Sequence, residues 1–423
     1  MVTIKDNDIV FSDYARFIQN EDDVIIINGY SGTWGGISAS NLQRINYCIN
    51  KNMSPLSYIR TLENEEEREE LAEIFQVLID EKMIKSSSEI EGEPDIKEVE
   101  FKLTNKCNLK CLHCSASAGI EYEDILSTKQ MKEILDKIFQ FNIESLLLTG
   151  GEPLIRKDIK ILLQYIRDNY KGTVNLLTNG TLIDRPMASV LKEYVDAVSI
   201  SLDGYDKESC EFVRGRGVYD KIINAIEYLK EVGFNKDTII LSMVSTYQNY
   251  NHIDDFYSLC EDLDVKGTVR EFSALGRGLE NYESIGLKDH LAFTPIDEND
   301  LEDIRESLKC SIFCKAAINK IMINEAGDLY PCVILENEEF KLGNIIDKEF
   351  DDIFRSEKYQ RFMDKKLKRA IVDDKPKCKD CNVRYFCMHK CVGVSSSYYD
   401  NEEICEERCK QVKPYLNKVV WDK

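Results

Sequence analysis

Fifteen cysteines in 423 residues are the side chains of this chain best suited to chemistry. Three stand alone, Cys48, Cys210 and Cys260, and read as small buried hydrophobes. The others are clustered, and clustered cysteines in a long chain without a secretory signal point to metal or catalysis rather than to disulfides. The tightest group is NKCNLKCLHC, which carries Cys107, Cys111 and Cys114. Three thiolates on one loop can hold three irons of a [4Fe–4S] cube and leave the fourth open to a ligand, whereas an electron carrier closes all four positions. Zinc is the competing reading, and it would need a fourth ligand such as His113.

A second group lies near the C-terminus. It comprises Cys310, Cys314 and Cys332, then the run PKCKDCNVRYFCMHKCVG with Cys378, Cys381, Cys387 and Cys391, then Cys405 and Cys409. Nine cysteines are too many for one cube, and eight would fill two. A zinc ribbon is the alternative for the CxxC part of the run.

The first cluster follows directly on an apolar run at 99–104, and from there strand-like and helical patterns alternate. Strands are expected near 99–104, 145–149, 174–178, 197–202, 239–244 and 268–272, with helices between them such as 129–141, 157–169 and 219–232. Six β/α repeats imply a parallel sheet, open or partly closed into a barrel. Chemistry in such folds collects at the C-terminal ends of the strands. Three polar turns fall there: TGGEP with Gly150, Gly151 and Glu152; LLTNGTL with Thr178 and Asn179; and SISLDG with Ser199, Ser201 and Asp203. Beyond them, VRGRG carries Arg214 and its rival Arg216.

Ahead of the repeats, residues 1–85 show three β-like runs (15–19, 24–28, 34–37) and then three helical patterns (41–50, 55–62, 65–82). That order suits a small winged-helix-like α+β domain. The polar, acidic stretch SSSEIEGEPD supports a linker over 86–97. The expected division is therefore 1–85, linker 86–97, a β/α domain over 98–304 and a cysteine-rich domain over 305–423. A net charge of −21 argues against nucleic acid. No apolar run is long enough for a membrane span, and the charged start MVTIKDNDIV has no signal core, so a cytoplasmic protein is expected.

The three-cysteine spacing after the first strand of a β/α series resembles the signature of the radical S-adenosylmethionine (SAM) superfamily. The spacing from Cys314 through Gly327 to Cys332 and the later run resembles the SPASM extension of its peptide-modifying members. The fold implied is α/β: a partial (β/α)6 barrel with a winged-helix-like front domain and a C-terminal SPASM domain. The resemblance implies SAM and three [4Fe–4S] clusters as cofactors. Gly150, Gly151 and Glu152 would bind the SAM amino group, Thr178 and Asn179 would lie beside it, Ser201 would contact the ribose or carboxylate, and Arg214 would pair with the carboxylate. Cys314, Cys332 and Cys391 would serve an inner auxiliary cluster, with Cys310 either completing it or spare. Cys378, Cys381 and Cys387 would serve an outer one, completed by Cys405 or Cys409, with Cys405 slightly favoured.

The front domain resembles those that bind the leader of a ribosomally made precursor by adding it as a strand, here between strand 32–37 and helix 65–82. Architecture of this kind resembles subtilosin-type maturases, which form sulfur-to-carbon thioethers. Anaerobic sulfatase maturases lack the front domain. Carbon–carbon crosslinking, formylglycine-type oxidation and a non-enzymatic peptide-binding metalloprotein are the alternatives. The expected partners are a precursor peptide and an electron donor such as flavodoxin or ferredoxin.

Overall fold

The computed structural model describes residues 7–91, 93–270, 272–286, 305, 308, 312, 314–368, 371–374, 376–387 and 402–422. They divide into two compact units that do not follow chain order. One contains residues 1–93, 293–315 and 361–423; the other contains 94–292 and 316–360. The segment from 305 onward, expected as one domain, is thus divided between them.

The larger unit is built on a nine-stranded sheet. Its parallel part is β6 (Glu98–Lys102), β7 (Ser145–Thr149), β8 (Thr173–Thr178), β9 (Ala197–Ser201), β10 (Ile239–Val244) and β11 (Lys266–Arg270), neighbouring one another in chain order. Helices α4 (Thr128–Phe139), α5 (Ile159–Asn169), α6 (Arg185–Tyr194), α7 (Lys207–Arg214), α8 (Val218–Glu231) and α9 (Ile253–Asp262) connect them. Sequential parallel order with a helix in each crossover is the winding of a β/α barrel, here with six repeats. Strand period and helix period agree on one core: Val99, Phe101, Leu146, Leu148, Val174 and Leu176 are buried, as are Met131, Ile134, Leu162, Leu163 and Ile166. Local signals start the helices. Ser127 and Gln130 form a capping box at α4, and Asp184 caps α6 with Pro186 in its first turn.

Three further strands extend the sheet beyond the six expected. β12 (Lys320–Ile323) pairs parallel with β6, and β13 (Asp328–Tyr330) and β14 (Gly343–Asn344) follow antiparallel. These strands come from the cysteine-rich C-terminal part of the chain. Short strands outside the β/α rhythm carry no periodic signal of their own, so sequence patterning does not reveal them.

In the smaller unit, β2 (Ala15–Asn20), β3 (Asp23–Asn28) and β4 (Trp34–Ser38) form an antiparallel sheet with β4 at an edge. Helices α1 (Ala39–Asn50), α2 (Pro55–Ile59) and α3 (Glu65–Asp80) follow. Three glutamates in the first turn of α3 favour its positive N-terminus. A pairing not expected from sequence joins β1 (Ile9–Phe11) to β5 (Ile84–Ser86). Alternation along β3 buries both faces. Ile26 packs with Ile45, Leu71, Phe75 and Leu78 of the helices. Ile25 and Ile27 pack instead with Val372, Val383, Tyr385, Leu416 and Val420 from the C-terminal part. The 86–97 stretch is tethered at Glu91, which accepts from Ser12 Oγ (2.7 Å) and the Asp13 amide (2.7 Å) and pairs with Lys85 (3.2 Å). Among the described residues, no helix is long and apolar enough to cross a membrane.

Candidate iron–sulfur and SAM site

The loop carrying Cys107, Cys111 and Cys114 leaves the C-terminal end of β6, where a β/α fold places its chemistry. Cys107 and Cys111 are buried and Cys114 is half-buried. The loop is fastened by backbone and side-chain bonds from several directions. Cys107 N donates to Gly119 O (3.0 Å), and Leu112 N to Val213 O (3.0 Å). Arg277, opening α10 (Arg277–Glu280), donates from Nε to Cys111 O (3.1 Å), from Nη1 to Ala118 O (2.8 Å) and from its amide to Cys114 O (3.0 Å). Asn281 Nδ2 reaches Leu112 O (3.2 Å). Neither Arg277 nor Asn281 stands out in the sequence, because no motif or periodicity marks a residue that acts only through a distant loop.

The glycines of the next turn answer to this loop. A Cβ on Gly151 would stand 2.5 Å from Lys106 O, and one on Gly150, whose φ is +148°, 2.5 Å from Thr104 O. Gly151 N donates to Thr104 O (2.7 Å) and Glu152 N to Lys106 O (2.9 Å). The turn after β7 thus lies flush against the cysteine loop, which only glycine allows.

Glu152 is fully buried and knits the next turn in. Its carboxylate accepts from Leu154 N (3.1 Å), Thr178 Oγ1 (2.8 Å) and Asn179 N (2.7 Å). Burial pushes its pKa up, and these three donors oppose the shift. Asn179 Nδ2 then reaches Cys107 Sγ (3.9 Å) and Asn108 Oδ1 (2.9 Å).

On the other side of the loop, Arg214 is buried, while Arg216 is exposed. Arg214 Nη1 lies 3.9 Å from Cys111 Sγ, and Nη2 pairs with Asp203 at 2.5 Å. His113 Nε2 also meets Asp203, at 2.7 Å, which turns this ring nitrogen to a carboxylate. Burial alone would raise the pKa of Asp203, but Arg214 and His113 hold it well below the usual carboxylate range. Ser201 is half-buried at the end of β9. Nearby on the same strand face, the buried Ser199 hydroxyl has no partner among the described residues.

The chemistry of the donor set fits a cluster. Burial pushes the Cys107 thiol up to about 11 and raises that of Cys111, so ionising them calls for a bound cation. Hydrogen-bond donors from Leu109 N (3.4 Å), Asn179 and Arg214 already point at the sulfurs. Among the described residues no three His, Cys, Asp or Glu side chains converge as the ligands of one ion do. Thiols serving different irons of a cube have no need to meet at a point.

The C-terminal cysteines are seen in part. Cys378, Cys381 and Cys387 are half-buried against the core of the smaller unit, with Cys381 N donating to Cys378 O (2.8 Å). Cys314 is half-buried, and so is Cys332 ahead of the 3-10 turn Val333–Leu335. Cys409 is exposed on the helix Glu402–Trp421, which also carries Cys405 four residues earlier. Cys310, Cys391 and the side chain of Cys405 lie outside the described residues.

Comparison with known proteins agrees with this geometry. Residues 101–260 match the radical SAM superfamily, and residues 314–382 match SPASM, an iron–sulfur cluster-binding domain. The mycofactocin maturase MftC of Mycolicibacterium smegmatis is 30% identical over 274 residues, 60% of this chain and 69% of the relative. The subtilosin biosynthesis protein AlbA of Bacillus subtilis is 27% identical over 318 residues, 72% of this chain and 69% of AlbA. The crystal structure of Streptococcus suis SuiB bound to S-adenosylmethionine superposes with a TM-score of 0.52, covering 93% of this chain and 97% of SuiB at 18% identity, a likeness of fold. Another SuiB structure holds its precursor peptide SuiA. With a cysteine loop, glycine turn and sheet of this kind, and with these matches, the chain belongs to the radical SAM superfamily and carries a SPASM iron–sulfur cluster-binding domain.

Proposed function

We propose that this enzyme matures a ribosomally made peptide by closing sulfur-to-carbon thioethers within it. Cys107, Cys111 and Cys114 would hold a reduced iron–sulfur cluster, which together with bound SAM would supply radical hydrogen abstraction from carbon. The protein's share is placement. Gly150, Gly151 and Glu152 form the pocket for the SAM amino group, with the Glu152 carboxylate steadied by Thr178 and Asn179. Arg214 brings a cation to the SAM carboxylate, and Ser201 lies on the ribose side. The clusters number three, the two auxiliary ones on the C-terminal cysteines. Flavodoxin or ferredoxin is the electron donor.

The observation that carries the peptide reading is a groove in the smaller unit. It encloses about 690 Å³ between the edge strand β4 and helix α3, lined by Trp34, Gly35, Gly36, Ile37, Ile74 and Val77 among others. An edge strand offers unpaired backbone groups to an added strand, and the facing apolar side chains supply pockets. A Cβ added at Gly35 or Gly36 would meet nothing within 4 Å, so a peptide backbone can approach closely. Glu73 and Glu81 also line the groove, with Arg305 the one basic side chain among its described lining residues, which favours a leader with basic residues beside its apolar ones.

The test is anaerobic. Reconstituted enzyme, SAM and dithionite are incubated with the cysteine-containing peptides translated from short reading frames beside its gene. A thioether lowers the peptide mass by one hydrogen molecule and removes one alkylatable thiol. Loss of hydrogen with every thiol still alkylatable would mean carbon–carbon closure instead.

A further inference from the structure

Three arginines stand around the cysteine loop, and two of them are neutralised where they stand. Arg156 is buried at the base of the loop, donating to Leu103 O (3.0 Å) and Leu126 O (3.2 Å), with Asp158 (2.9 Å) and Asp124 (3.5 Å) as counter-charges. Arg214 approaches Cys111 while paired with Asp203. Arg277 differs from both. Its half-buried guanidinium donates to two carbonyls of the loop, Cys111 O (3.1 Å) and Ala118 O (2.8 Å). Among the described residues it forms an ion pair with no carboxylate. Its charge is therefore the uncompensated one beside the loop.

The backbone around Arg277 is built to hold it there. Gly276 has a φ of +51°, and a Cβ on it would stand 2.8 Å from Cys114 O and closer still to Ser115 O. A Cβ on Gly278 would stand 3.2 Å from His113 O. The segment thus lies flush against the loop. Besides the two guanidinium bonds, the Arg277 amide reaches Cys114 O (3.0 Å) and Asn281 Nδ2 reaches Leu112 O (3.2 Å). The other end of the segment is fixed near the exit of β10, where Tyr247 N donates to Ile285 O (3.0 Å). Glu121 is the acid to weigh against Arg277. It is more than half exposed and pairs with Lys110 at 3.5 Å, so water and that lysine screen it.

We propose that Arg277 is a positioning residue that sets the reduction potential of the cluster on Cys107, Cys111 and Cys114, an inference that rests on the cluster assignment above. Three thiolates already give the site negative charge, and the one electron delivered by the external donor adds another. A cation fixed on the carbonyl of a ligand residue stabilises the reduced state more than the oxidised one, because attraction grows with the opposing charge. No bond forms or breaks in this step. No proton moves either, since a guanidinium stays charged at any working pH. Asn281 holds the same loop through a neutral amide, so it contributes position without charge.

Anaerobic redox titration of the reconstituted holoenzyme with dithionite, followed by electron paramagnetic resonance, reads the potential. The signal missing from a variant with Cys107, Cys111 and Cys114 all changed to Ala identifies the cluster. At the wild-type midpoint, the ratio of reduced to oxidised cluster should fall about tenfold in Arg277→Gln, or about 59 mV for a one-electron couple. Arg277→Lys keeps the charge and Asn281→Ala removes a neutral donor, so both should stay within about threefold of wild type. In the apoprotein, hydrogen exchange of the loop amides should quicken in all three variants, because each loses a tie to the loop. A wild-type potential in Arg277→Gln, or an equal fall in all three variants, overturns the inference. If Arg277→Gln takes up no iron, Arg277→Lys is decisive: a wild-type potential with faster loop exchange supports the charge effect, and a tenfold fall refutes it. If the triple cysteine variant loses no signal, the cluster assignment fails and takes this inference with it. Loss of that signal with unchanged potentials counts against Arg277 alone.

Discussion

Arg214 Nη1 stands 3.9 Å from the sulfur of Cys111 while its neighbouring nitrogen holds Asp203. One guanidinium thus joins the cysteine loop to the end of β9. Replacing Arg214 by Ala leaves Asp203 buried with the His113 ring as its remaining side-chain partner among the described residues, and breaking a buried pair costs about 3–5 kcal/mol. A melting temperature unchanged by Arg214→Ala would refute this.

The same pair makes a pH prediction. The folded-state pKa of Asp203 lies below its ordinary 3.8, so the carboxylate contributes stability that is present above that value. The contribution is lost as pH falls below about 4 toward the folded pKa. In Arg214→Ala the folded pKa rises, so acid unfolding should begin at higher pH than in wild type. Coincident acid transitions of the two proteins would count against the pairing.

Glu152 accepts three hydrogen bonds with no solvent exposure. A glutamine there turns one acceptor oxygen into a donor, facing either Leu154 and Thr178 or Asn179. An unsatisfied buried group costs about 1–3 kcal/mol. SAM cleavage by Glu152→Gln should fall by at least about tenfold, because the turns beside Cys107 lose their tie. Isothermal titration with SAM measures the accompanying loss of affinity.

The glycines separate into two kinds. Gly151→Ala forces a Cβ against the Lys106 carbonyl and should disturb the cysteine loop, lowering iron content and SAM cleavage together. Gly36→Ala meets open space and should leave the melting temperature and SAM cleavage unchanged. On the groove reading it should still weaken peptide binding, as should Val77→Lys, because Val77 is 55% exposed along α3. Fluorescence anisotropy with a labelled leader peptide reads both.

Changing Cys107, Cys111 and Cys114 to Ala should remove about four of about twelve irons per chain and abolish SAM cleavage. Changing Cys378, Cys381 and Cys387 should remove a similar number and lower the melting temperature. These three side chains pack on the same core as Ile25 and Ile27. For the same reason, deleting residues 1–85 is a poor test of leader binding, since it would strip that core from the C-terminal cysteines.

The cysteine spacing, the β/α alternation and the polar turns at strand ends were enough to give six parallel strands and the order of the site along them. Period and spacing are local properties, and each strand's inward and outward residues follow from its own pattern. Local pattern also placed Thr178, Asn179 and Glu152 at neighbouring strand ends, though not the bonds among them. What the chain order concealed is long-range. β12 to β14 join the barrel sheet from within the SPASM segment, and β1 closes on β5 across the whole front domain. Arg277 and Asn281 fasten a loop 166 and 169 residues away, at Cys111 and Leu112. His113, considered as a zinc ligand from its place beside Cys114, is turned to Asp203 instead. Pairing between remote segments is decided by what the folded backbone leaves exposed and uncompensated, and no window of sequence contains that information.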